Sequence, residues 1–436
     1  MTLGQNLARA AYSTLLRLGT PAYLARLWWR GRAEPLYRHA MGQRLALGSA
    51  AQAPGAIWLH AVSLGETRAA AALVQALRTV RPGTRFVFTH GTATGLEAGK
   101  ALMQPGDTQT WLPFDTPGAV RRFLRAQQPV LGVLMETEIW PNLLLEAAAA
   151  GVPMVLANAR LSERSARKGE RFAALLRPAA ERLSLALAQT EADAQRLRAS
   201  GVADVCVAGN LKYDLNPDAA QAARGQRWRQ AIGRPVVAMT NTRVGEEGPL
   251  LQAWAALPAP RPQLLIVPRH PQRFDEVAQR VVEAGFTLSR RSGWIDDLPP
   301  AEANNADVWL GDSLGEMALY YGAADVALLG GSFEPLGGHN LIESAASGCP
   351  IVLGPSTFNF AEAAELALAE GAAWRVASLP AAVALAQQLL NDHARLAAAA
   401  AQARAFSARH RGAAQRMATE IAALLAPVAL TSPAAR

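Results

Sequence analysis

Short apolar runs alternate with segments of helical periodicity from residue 57 onward, and this pattern predicts strands separated by helices. The runs are apolar along their whole length, which is typical of strands buried on both faces of a parallel sheet. In the first half of the chain the predicted strands are Ile57–Ser63, Arg85–His90, Thr110–Phe114, Val130–Met135, Met154–Ala157, Leu185–Ala188 and Val205–Ala208. The predicted helices between them include Glu66–Arg78, Asn142–Ala150 and Glu191–Ala199.

The same alternation continues in the second half. Its predicted strands are Pro235–Met239, Leu264–Pro268, Ala306–Leu310, Val326–Leu329 and Ile351–Leu353. A polar segment between Tyr213 and Arg234, with Asn216 and Pro217 near its start, is the best linker candidate, and residues 377–436 predict Ala-rich helix. The sequence therefore predicts an α/β protein with two doubly wound, Rossmann-like domains that face each other across a cleft, with ligands at the carboxyl ends of the strands.

Residues 3–29 form an amphipathic segment whose apolar positions repeat at helical spacing. These positions are Leu3, Leu7, Ala11, Leu15, Leu18, Tyr23, Leu24, Leu27, Trp28 and Trp29. Arginines interrupt every apolar run, so no stretch reaches the roughly 18–20 uncharged residues that a membrane-spanning helix needs. No apolar core with a cleavage site is present either, which argues against a removable signal peptide. Such a segment lies in the interface of an anionic membrane or packs on its own domain, and these residues alone favour neither alternative.

Composition and charge exclude several classes of protein to which the chain could otherwise belong. With 436 residues, 50% of them hydrophobic, the chain is long enough for two domains with cores of their own, and disorder is excluded. The net charge is +8, and residues 1–50 supply +6 of it, so we expect an acidic surface to be met at one end rather than a nucleic-acid groove. The only cysteines, Cys206 and Cys349, are far apart, which argues against a disulfide scaffold or a cysteine-built metal site.

The first candidate for chemistry is Glu66. A strand ends at Ser63, Gly65 permits a tight turn, and Glu66 opens the next helix. This placement holds the carboxylate rigidly at the mouth of the sheet, where partial burial raises its pKa toward the range of a general base near neutral pH. The alternative is a first-turn acid that only complements the helix dipole. The residues leave both interpretations open.

A second candidate is the pair Glu136 and Glu138, directly after a buried strand and before a helix that starts with proline. Like charges so close together raise one another's pKa unless a cation is near. The segments Asn158–Ser162 and Asn210–Asp214 follow later strands and could supply such cations. A structural ion-pair network beneath the cleft is the alternative.

The second half offers three strand-end turns. Arg269 follows a strand between two prolines and suits an anionic ligand. The backbone N–H groups of the turn Gly311–Glu316 could read a base edge or a phosphate. In Gly330–Glu343, two glycine pairs allow close approach to a phosphate, a helix is predicted to start near His339, and Glu343 could accept ribose hydroxyls. A purely structural double-glycine loop is the alternative for this stretch.

A catalytic metal site has no support in the sequence. No D-x-D motif and no histidine pair with metal-ligand spacing occurs, which argues against a catalytic metal.

Together these motifs resemble the Kdo transferases, which add 3-deoxy-D-manno-octulosonic acid (Kdo) from CMP-Kdo to the lipid A precursor. The similarity runs from the basic N-terminal arm to about residue 360. Its motifs are Ser63–Glu66, Glu136–Pro141, Asn158–Ser162, Asn210–Asp214, Val267–Pro271, Gly337–Asn340 and Thr357–Phe360.

The resemblance implies a glycosyltransferase-B fold and an inverting, metal-independent enzyme, without a cofactor, on the cytoplasmic face of the inner membrane. It implies a catalytic role for Glu66, with Glu138 and Lys212 supporting the transition state. The implied contacts to the donor CMP-Kdo are Pro268, Arg269, Leu314, Gly315, Glu316, Asn340, Leu341, Ile342 and Glu343. The implied partners are CMP-Kdo, the lipid A precursor and the anionic inner-membrane surface, with no nucleic acid. The chain departs from the family at Arg243, which stands where the family's S-T-H-x-G-E-E segment has histidine.

The expected domains are a basic membrane-associating arm (1–50), an acceptor-binding domain (51–215) and a CMP-Kdo-binding domain with the C-terminal helices (216–436). Two other functions stay open. One is a different sugar-nucleotide enzyme of this fold, such as a UDP-sugar transferase or epimerase. The other is an inert membrane-docked binding protein, which intact Glu66, Lys212 and Arg269 argue against.

Overall fold

The computed structural model describes residues 1–48, 51–214, 217–295 and 298–425. The chain divides into two units, one formed by Met1–Asp214 with the C-terminal segment from Arg411 onward, and one formed by Leu215–His410. Each unit has its own seven-stranded sheet in which neighbouring strands are parallel. Because parallel strands need crossover helices, each sheet is covered by helices on both faces.

The first sheet carries its strands in the order β3-β2-β1-β4-β5-β6-β7. These strands are β1 (Ile57–His60), β2 (Phe86–His90), β3 (Thr108–Trp111), β4 (Leu131–Met135), β5 (Met154–Ala159), β6 (Leu185–Ala188) and β7 (Val205–Val207). The direction of winding reverses between β1 and β4. In doubly wound sheets, ligands bind in the crevice beyond the carboxyl ends of the strands at such a reversal.

The second sheet has the order β10-β11-β9-β8-β12-β13-β14. Its strands are β8 (Val236–Thr242), β9 (Gln263–Pro268), β10 (Leu288–Arg290), β11 (Val308–Leu310), β12 (Val326–Leu329), β13 (Ile351–Leu353) and β14 (Ala373–Arg375). Here the reversal lies between β8 and β12.

Helices fill most of the connections. Those of the first unit are α1 (Leu3–Arg30), α2 (Leu64–Val80), α3 (Ala93–Gly99), α4 (Pro117–Gln127), α5 (Pro141–Ala149), α6 (Glu163–Glu170), α7 (Ala173–Ala180) and α8 (Glu191–Ala199). Those of the second unit are α9 (Ala219–Ile232), α10 (Glu247–Ala255), α11 (Phe274–Glu283), α12 (Ala301–Asn304), α13 (Met317–Ala323), α14 (Ile342–Ala346), α15 (Ala361–Ala369), α16 (Leu379–Asn391) and α17 (His393–His410). The last helix, α18 (Ala413–Ala423), belongs to the first unit. Short 3-10 turns occur at Pro35–Arg38, Met41–Leu45, Lys100–Leu102, Leu211–Asp214, Pro271–Arg273, Arg291–Gly293 and Phe358–Phe360.

Successive residues of each strand enter opposite cores, as the two-residue period of a strand requires. In β1, Ile57 and Leu59 pack with α2 and α18, whereas Trp58 packs with the core beneath α4 and α5. The second sheet behaves in the same way, with Val237 and Val236 in different clusters. Both faces of each strand are therefore apolar, which is why the sequence pattern shows continuous runs.

The structure confirms the predicted fold class of two doubly wound parallel sheets. Every predicted strand exists, with ends displaced by a few residues. The pattern missed β10 and β14, because each has only three residues and their side chains are mostly half-buried or exposed. Strands so short and so little buried leave no apolar run in the sequence.

The linker prediction is wrong for most of its length. Ala219–Ile232 is the 14-residue helix α9, capped by the Asp218 side chain. Its buried contacts are made by Gly225 and Trp228, so its composition is polar although one face packs tightly on α13. Leu215 and Asn216, which include the expected domain boundary and part of the predicted linker, lie outside the described residues.

The C-terminus also differs from the expected division, which kept it with the second domain. Helix α18 packs against α2 of the first unit, where Met417 and Ile421 join the core. The Asp214 carboxylate accepts hydrogen bonds from the Gly412 and Ala414 N–H groups, so the start of α18 is fixed beside the end of the first sheet.

Candidate functional site

Several predicted site residues lie at the reversal point of each sheet, whereas Lys212 follows β7 and the turn Leu314–Glu316 follows β11, farther from it. In the first unit, Glu66 follows β1, and Glu136 and Glu138 follow the adjacent strand β4. In the second unit, Arg243 follows β8, and the first glycine pair, Gly330–Gly331, follows the adjacent strand β12. The topology therefore places both groups where doubly wound sheets bind ligands.

Both carboxylate oxygens of Glu66 are held by hydrogen bonds. The Val62 N–H donates to Oε2 at 2.6 Å, and the Ser63 hydroxyl donates to Oε1 at 3.0 Å. Burial raises the pKa of Glu66, the two hydrogen bonds oppose that rise, and the charge of Glu136 adds to it. Glu66 is thus a fixed, half-buried carboxylate with a raised pKa, which are the properties of a general base.

Glu138 has the more strongly shifted pKa of the two. Burial, as the largest cause, and the nearby charges of Glu66 and Glu136 together raise its pKa to about 7. This agrees with the expectation that clustered acids raise one another's pKa. The backbone of Glu136 has a φ of +61°, a left-handed conformation that is costly for a residue with a Cβ. The turn after β4 is therefore strained where it carries the two acids.

Lys212 lies in the 3-10 turn Leu211–Asp214 after β7, at the same edge of the sheet. Leu211 and Tyr213 on either side of it are buried, and Lys212 itself is half-buried. Sequence reasoning missed Gln189, which follows β6 and bonds to both Asn158 and Asn210. A single glutamine after a strand carries no motif, so its position became evident only from the sheet order.

The neighbouring residues Glu246 and Glu247 of the second unit make contacts of two different kinds. Glu246 is fully buried and accepts the N–H groups of Arg243, Gly331 and Phe333, which ties the turn after β8 to the loop after β12. Glu247 is also buried and forms a bidentate ion pair with Arg273, at 2.7 and 3.0 Å. Neither carboxylate is available to a ligand, and both act through the loops they fix.

Four basic side chains influence one another beside the turn that Glu246 fixes, namely those of Arg243, Arg269, His270 and His339. The pKa of His339 is lowered to about 4 by burial and by the charges of Arg269, Arg243 and His270. Burial and the charges of Arg243 and Arg269 also lower the pKa of His270. Near neutral pH the permanent charges here belong to the two arginines, and the histidines are neutral. The arrangement suits an anion, because two permanently charged guanidinium groups act on the same two histidines.

The glycine pairs do not present free N–H groups to a ligand. The N–H of Gly330 bonds to the Thr240 carbonyl, that of Gly331 to Glu246, that of Gly337 to Ser356 Oγ and that of Gly338 to the Gly331 carbonyl. A Cβ at Gly330 would lie 2.5 Å from the carbonyl oxygen of Asn241 in β8. These glycines are explained by close packing of backbone, so the structural interpretation of the double-glycine loop holds for them.

The helix expected near His339 starts later, at Ile342, and has five residues. Asn340 Oδ1 accepts the Ile342 N–H at 3.1 Å, and Asn340 Nδ2 donates to Glu343 Oε1 at 3.4 Å. The side chains of Leu341 and Ile342 are buried in the protein, so at these positions only the backbone can contact a ligand. Asn340 and Glu343 are the residues of this segment with polar side chains at the sheet edge.

The turn after β11 places Leu314 and Gly315 at the surface and holds Glu316 in an ion-pair network. Glu316 accepts Arg291 Nη2 at 3.0 Å, pairs with Arg224 and accepts the Ser313 hydroxyl at 2.5 Å. Burial alone would raise its pKa, but these hydrogen bonds and charges lower it. The Glu316 carboxylate therefore fixes the turn from its buried side.

Pro268 ends β9, and the exposed Arg269 follows it at once.

Within the described residues no group of three or more His, Cys, Asp or Glu side chains could hold a metal ion.

Comparison with known proteins identifies relatives along nearly the whole chain. A family model described as 3-Deoxy-D-manno-octulosonic-acid transferase (kdotransferase) matches residues 39–215. The chain is 44% identical over 424 residues to the 3-deoxy-D-manno-octulosonic acid transferase of Bordetella pertussis, covering 94% of this chain and 98% of that protein. It is 36% identical over 364 residues to the enzyme of the same name from Haemophilus influenzae, covering 81% of this chain and 84% of that protein.

A solved structure shares the fold. The crystal structure of Anabaena HepE in complex with UDP superposes with a TM-score of 0.57 at 15% identity, covering 85% of this chain and 100% of that one. At this identity the likeness shows the fold alone, which is of the glycosyltransferase-B type.

Proposed function

The chain belongs to the 3-deoxy-D-manno-octulosonic acid (Kdo) transferase family, and from that premise we propose that it moves Kdo from CMP-Kdo to the lipid A precursor, with inversion and without a metal ion. In the proposed reaction a hydroxyl of the lipid acceptor gives its proton to Glu66. The oxygen attacks the anomeric carbon of Kdo, the bond from that carbon to the phosphate oxygen breaks, and CMP leaves as a phosphate monoester with the bonding electrons.

The fixed carboxylate of Glu66 is the single observation that carries this proposal. Hydrogen bonds from Val62 and Ser63 orient its two oxygens, and burial raises its pKa toward the range in which a base works near neutral pH. A first-turn acid that served only the helix dipole would not need both oxygens fixed. The capping of α2 is already provided by Ser63 Oγ, which accepts the Glu66 N–H.

Glu138 and Lys212 are proposed to support the transition state, which is oxocarbenium-like and lies next to the Kdo carboxylate. A carboxyl with a pKa of about 7 is partly protonated near neutral pH, so Glu138 can donate a hydrogen bond or carry charge. Lys212 lies at the carboxyl end of the same sheet. It would supply a positive charge near the Kdo carboxylate.

The leaving phosphate is proposed to be met by Arg269 and Arg243 in place of a metal. Both are permanently charged, and they lower the pKa of the adjacent His339 and His270. Guanidinium groups bind phosphate oxygens with two parallel hydrogen bonds. The proposed donor contacts also include Pro268, the backbone of Leu314–Glu316 and the segment Asn340–Glu343.

We further propose that α1 attaches the enzyme to the anionic surface of the inner membrane, on its cytoplasmic face. The N-terminal half of the helix faces the first unit with polar groups, whereas near its C-terminal end Leu27 is buried in an apolar cluster with Tyr37 and Trp111. Arg9 pairs with Glu146 at 2.6 Å, Tyr12 donates to Asp115 at 2.9 Å, and Ser13 donates to Asn142 at 3.1 Å.

The opposite face of α1 is apolar and exposed. It carries Leu3, Leu7, Leu15, Leu18, Trp28 and Trp29. Leu18, for example, keeps 75% of its surface in water. A helix that turns its polar side chains to its own domain and its apolar face outward needs an apolar partner, and the flanking arginines favour an anionic lipid surface. No helix within the described ranges is long and apolar enough to cross a membrane.

The direct test is to incubate the purified full chain with CMP-Kdo and the tetraacylated lipid A precursor in excess EDTA. We expect a Kdo-lipid product whose anomeric configuration is opposite to that of the donor. Matched reactions with UDP-sugars in place of CMP-Kdo test the other sugar-nucleotide chemistry of this fold. Product from a UDP-sugar alone, activity lost in EDTA and restored by a divalent metal, or retained configuration would each contradict the corresponding part of the proposal.

A further inference from the structure

The Gln189 side chain links the backbone of Asn158 to the side chain of Asn210 at the carboxyl end of the first sheet. The three residues follow consecutive neighbouring strands: Asn158 lies near the end of β5, Gln189 follows β6 and Asn210 follows β7. Gln189 Nε2 donates to the Asn158 carbonyl oxygen at 2.9 Å, and Gln189 Oε1 accepts Asn210 Nδ2 at 2.9 Å. Gln189 thus joins the ends of two strands that are not neighbours in the sheet.

The side chains of Asn158 and Asn210 bind the turn that carries Lys212. Asn158 Oδ1 accepts the Leu211 N–H at 3.0 Å, and Asn210 Oδ1 accepts the Lys212 N–H at 3.0 Å. Two successive backbone groups of the turn are therefore fixed by asparagine side chains, and Gln189 bonds to the backbone of Asn158 and to the side chain of Asn210. The amide of Asn210 has only one orientation that satisfies both bonds, because its nitrogen must face Gln189 while its oxygen faces Lys212.

Burial makes this arrangement rigid. Asn158 is fully buried and holds a φ of +52°, and Gln189 is 8% exposed. The Gln189 backbone N–H is also bound, to the Ala159 carbonyl at 3.0 Å. With little water available, an amide that loses its partner here cannot replace the bond cheaply. Loss of the Gln189 amide would therefore free the Asn210 side chain to turn and release the Lys212 backbone.

We propose that Gln189 is a positioning residue for Lys212, which it holds through Asn210 and Asn158 at the distance that the transfer reaction requires. This inference rests on the proposed function, in which Lys212 supports the transition state. Gln189 itself contacts no substrate in this account. Its contribution is the placement of a charge, and small misplacements of a catalytic group are costly to turnover.

The test is a double-mutant cycle on turnover with Gln189→Met and Lys212→Met. Methionine keeps the length of the side chain and removes both hydrogen bonds. We expect Gln189→Met to lower kcat by about 10- to 100-fold, with KM for CMP-Kdo changed by less than about twofold, since the donor contacts lie in the other unit. Added to Lys212→Met, the same substitution should lower kcat no further, because the group it positions is already gone.

Two further variants separate positioning from a general loss of structure. Asn210→Asp keeps the acceptor for the Lys212 N–H but removes the donor to Gln189, so it should lower kcat in the same way even if Gln189→Met folds poorly. Gln109→Met is the matched control, because its amide donates to the Leu96 carbonyl at 2.7 Å from β3, the opposite edge strand of the same sheet. We expect the control to leave kcat within about twofold of the wild type.

The outcomes are distinguishable. Losses of kcat that multiply in the double variant, or a Gln189→Met enzyme with normal kcat, would overturn the role of Gln189 while leaving the proposed reaction intact. Full turnover of Lys212→Met would overturn the role of Lys212 in the proposed function, and the positioning role with it.

Discussion

The backbone N–H of Val62 donates to the Glu66 carboxylate at 2.6 Å, across the turn between β1 and α2. The carbonyl of Val62 is also fixed, because it accepts the N–H groups of Gly91 and Thr92 and the Thr92 hydroxyl at 3.0–3.1 Å. The residues that follow β2 therefore fix Val62, the residue whose N–H holds Glu66. The position of the candidate base is determined by two strands of the sheet and not by the flexibility of its own side chain.

The coupling between Glu66 and Glu138 gives a titration that can be measured. Burial is the main reason that the pKa of Glu138 is about 7, and the charge of Glu66 is the next largest cause. Glu66→Gln removes that charge, so the pKa of Glu138 should fall but stay above its ordinary value of about 4.3. Carboxyl ¹³C NMR of labelled glutamate, assigned with Glu138→Gln, reports it. An unchanged pKa would show that the two carboxylates do not interact.

Two buried histidines predict acid sensitivity of the first unit. Burial lowers the pKa of His60 to about 3 and that of His90 to about 4, whereas the unfolded chain protonates histidine near 6.5. The two histidines have lower pKa values in the folded protein than in the unfolded chain. Their contribution to the free energy of unfolding is therefore fully present above pH 6.5 and is lost as the pH falls toward 4. Each histidine contributes a slope of about 1.4 kcal/mol per pH unit in that window.

Urea unfolding followed between pH 7 and 4.5 measures this slope. His60→Gln should make the slope shallower, and His39→Gln, at an exposed position, should leave it unchanged. Equal slopes for the wild type and His60→Gln would contradict the account of His60.

Helix α9 packs on α13 through glycine, which predicts opposite effects of two Gly→Ala changes. A Cβ at Gly225 would lie 2.0 Å from the Leu319 carbonyl oxygen, whereas a Cβ at Gly248 in α10 meets nothing within 4 Å. Gly225→Ala should lower the free energy of unfolding of the second unit by about 2 kcal/mol or more, although alanine favours helix. Gly248→Ala should raise it by about 0.5–1 kcal/mol. Urea denaturation measures both, and a Gly225→Ala protein as stable as the wild type would contradict this packing.

The exposed face of α1 predicts binding to anionic vesicles. Leu7 and Leu18 are 62% and 75% exposed, so Leu7→Gln with Leu18→Gln should leave the fold intact. Each change removes apolar area that would enter the lipid, and together they should weaken binding to vesicles of phosphatidylglycerol and phosphatidylethanolamine by at least about tenfold. Val282→Gln, a change at another exposed apolar position, is the matched control. Vesicle binding that is insensitive to the double change would remove α1 as the attachment surface.

The sequence was sufficient for the fold class because buried parallel strands such as β4 are apolar along their whole length. It was also sufficient to place Glu66 after β1 and Glu138 after β4, since a strand end followed by a helix start can be read locally. The bonds of Gln189 to Asn210 and of Glu246 to Gly331 and Phe333 could not be predicted, because these partners are 21 to 87 residues away along the chain and no local pattern marks them. The prediction that the glycine pairs approach a phosphate failed for a similar reason. Their N–H groups bond to backbone and side-chain groups that the local sequence does not reveal.

The central claim is that Glu66 is the base that activates the acceptor hydroxyl, and it is tested most directly by Glu66→Gln. The variant keeps the shape of the side chain and an acceptor oxygen but not the basicity. Affinity for CMP-Kdo, measured by calorimetry, and single-turnover transfer to the lipid A precursor should be compared with those of the wild type. Donor affinity should be unchanged, and transfer should be slower by at least about 100-fold. Transfer at the wild-type rate with Gln at position 66 would contradict this claim.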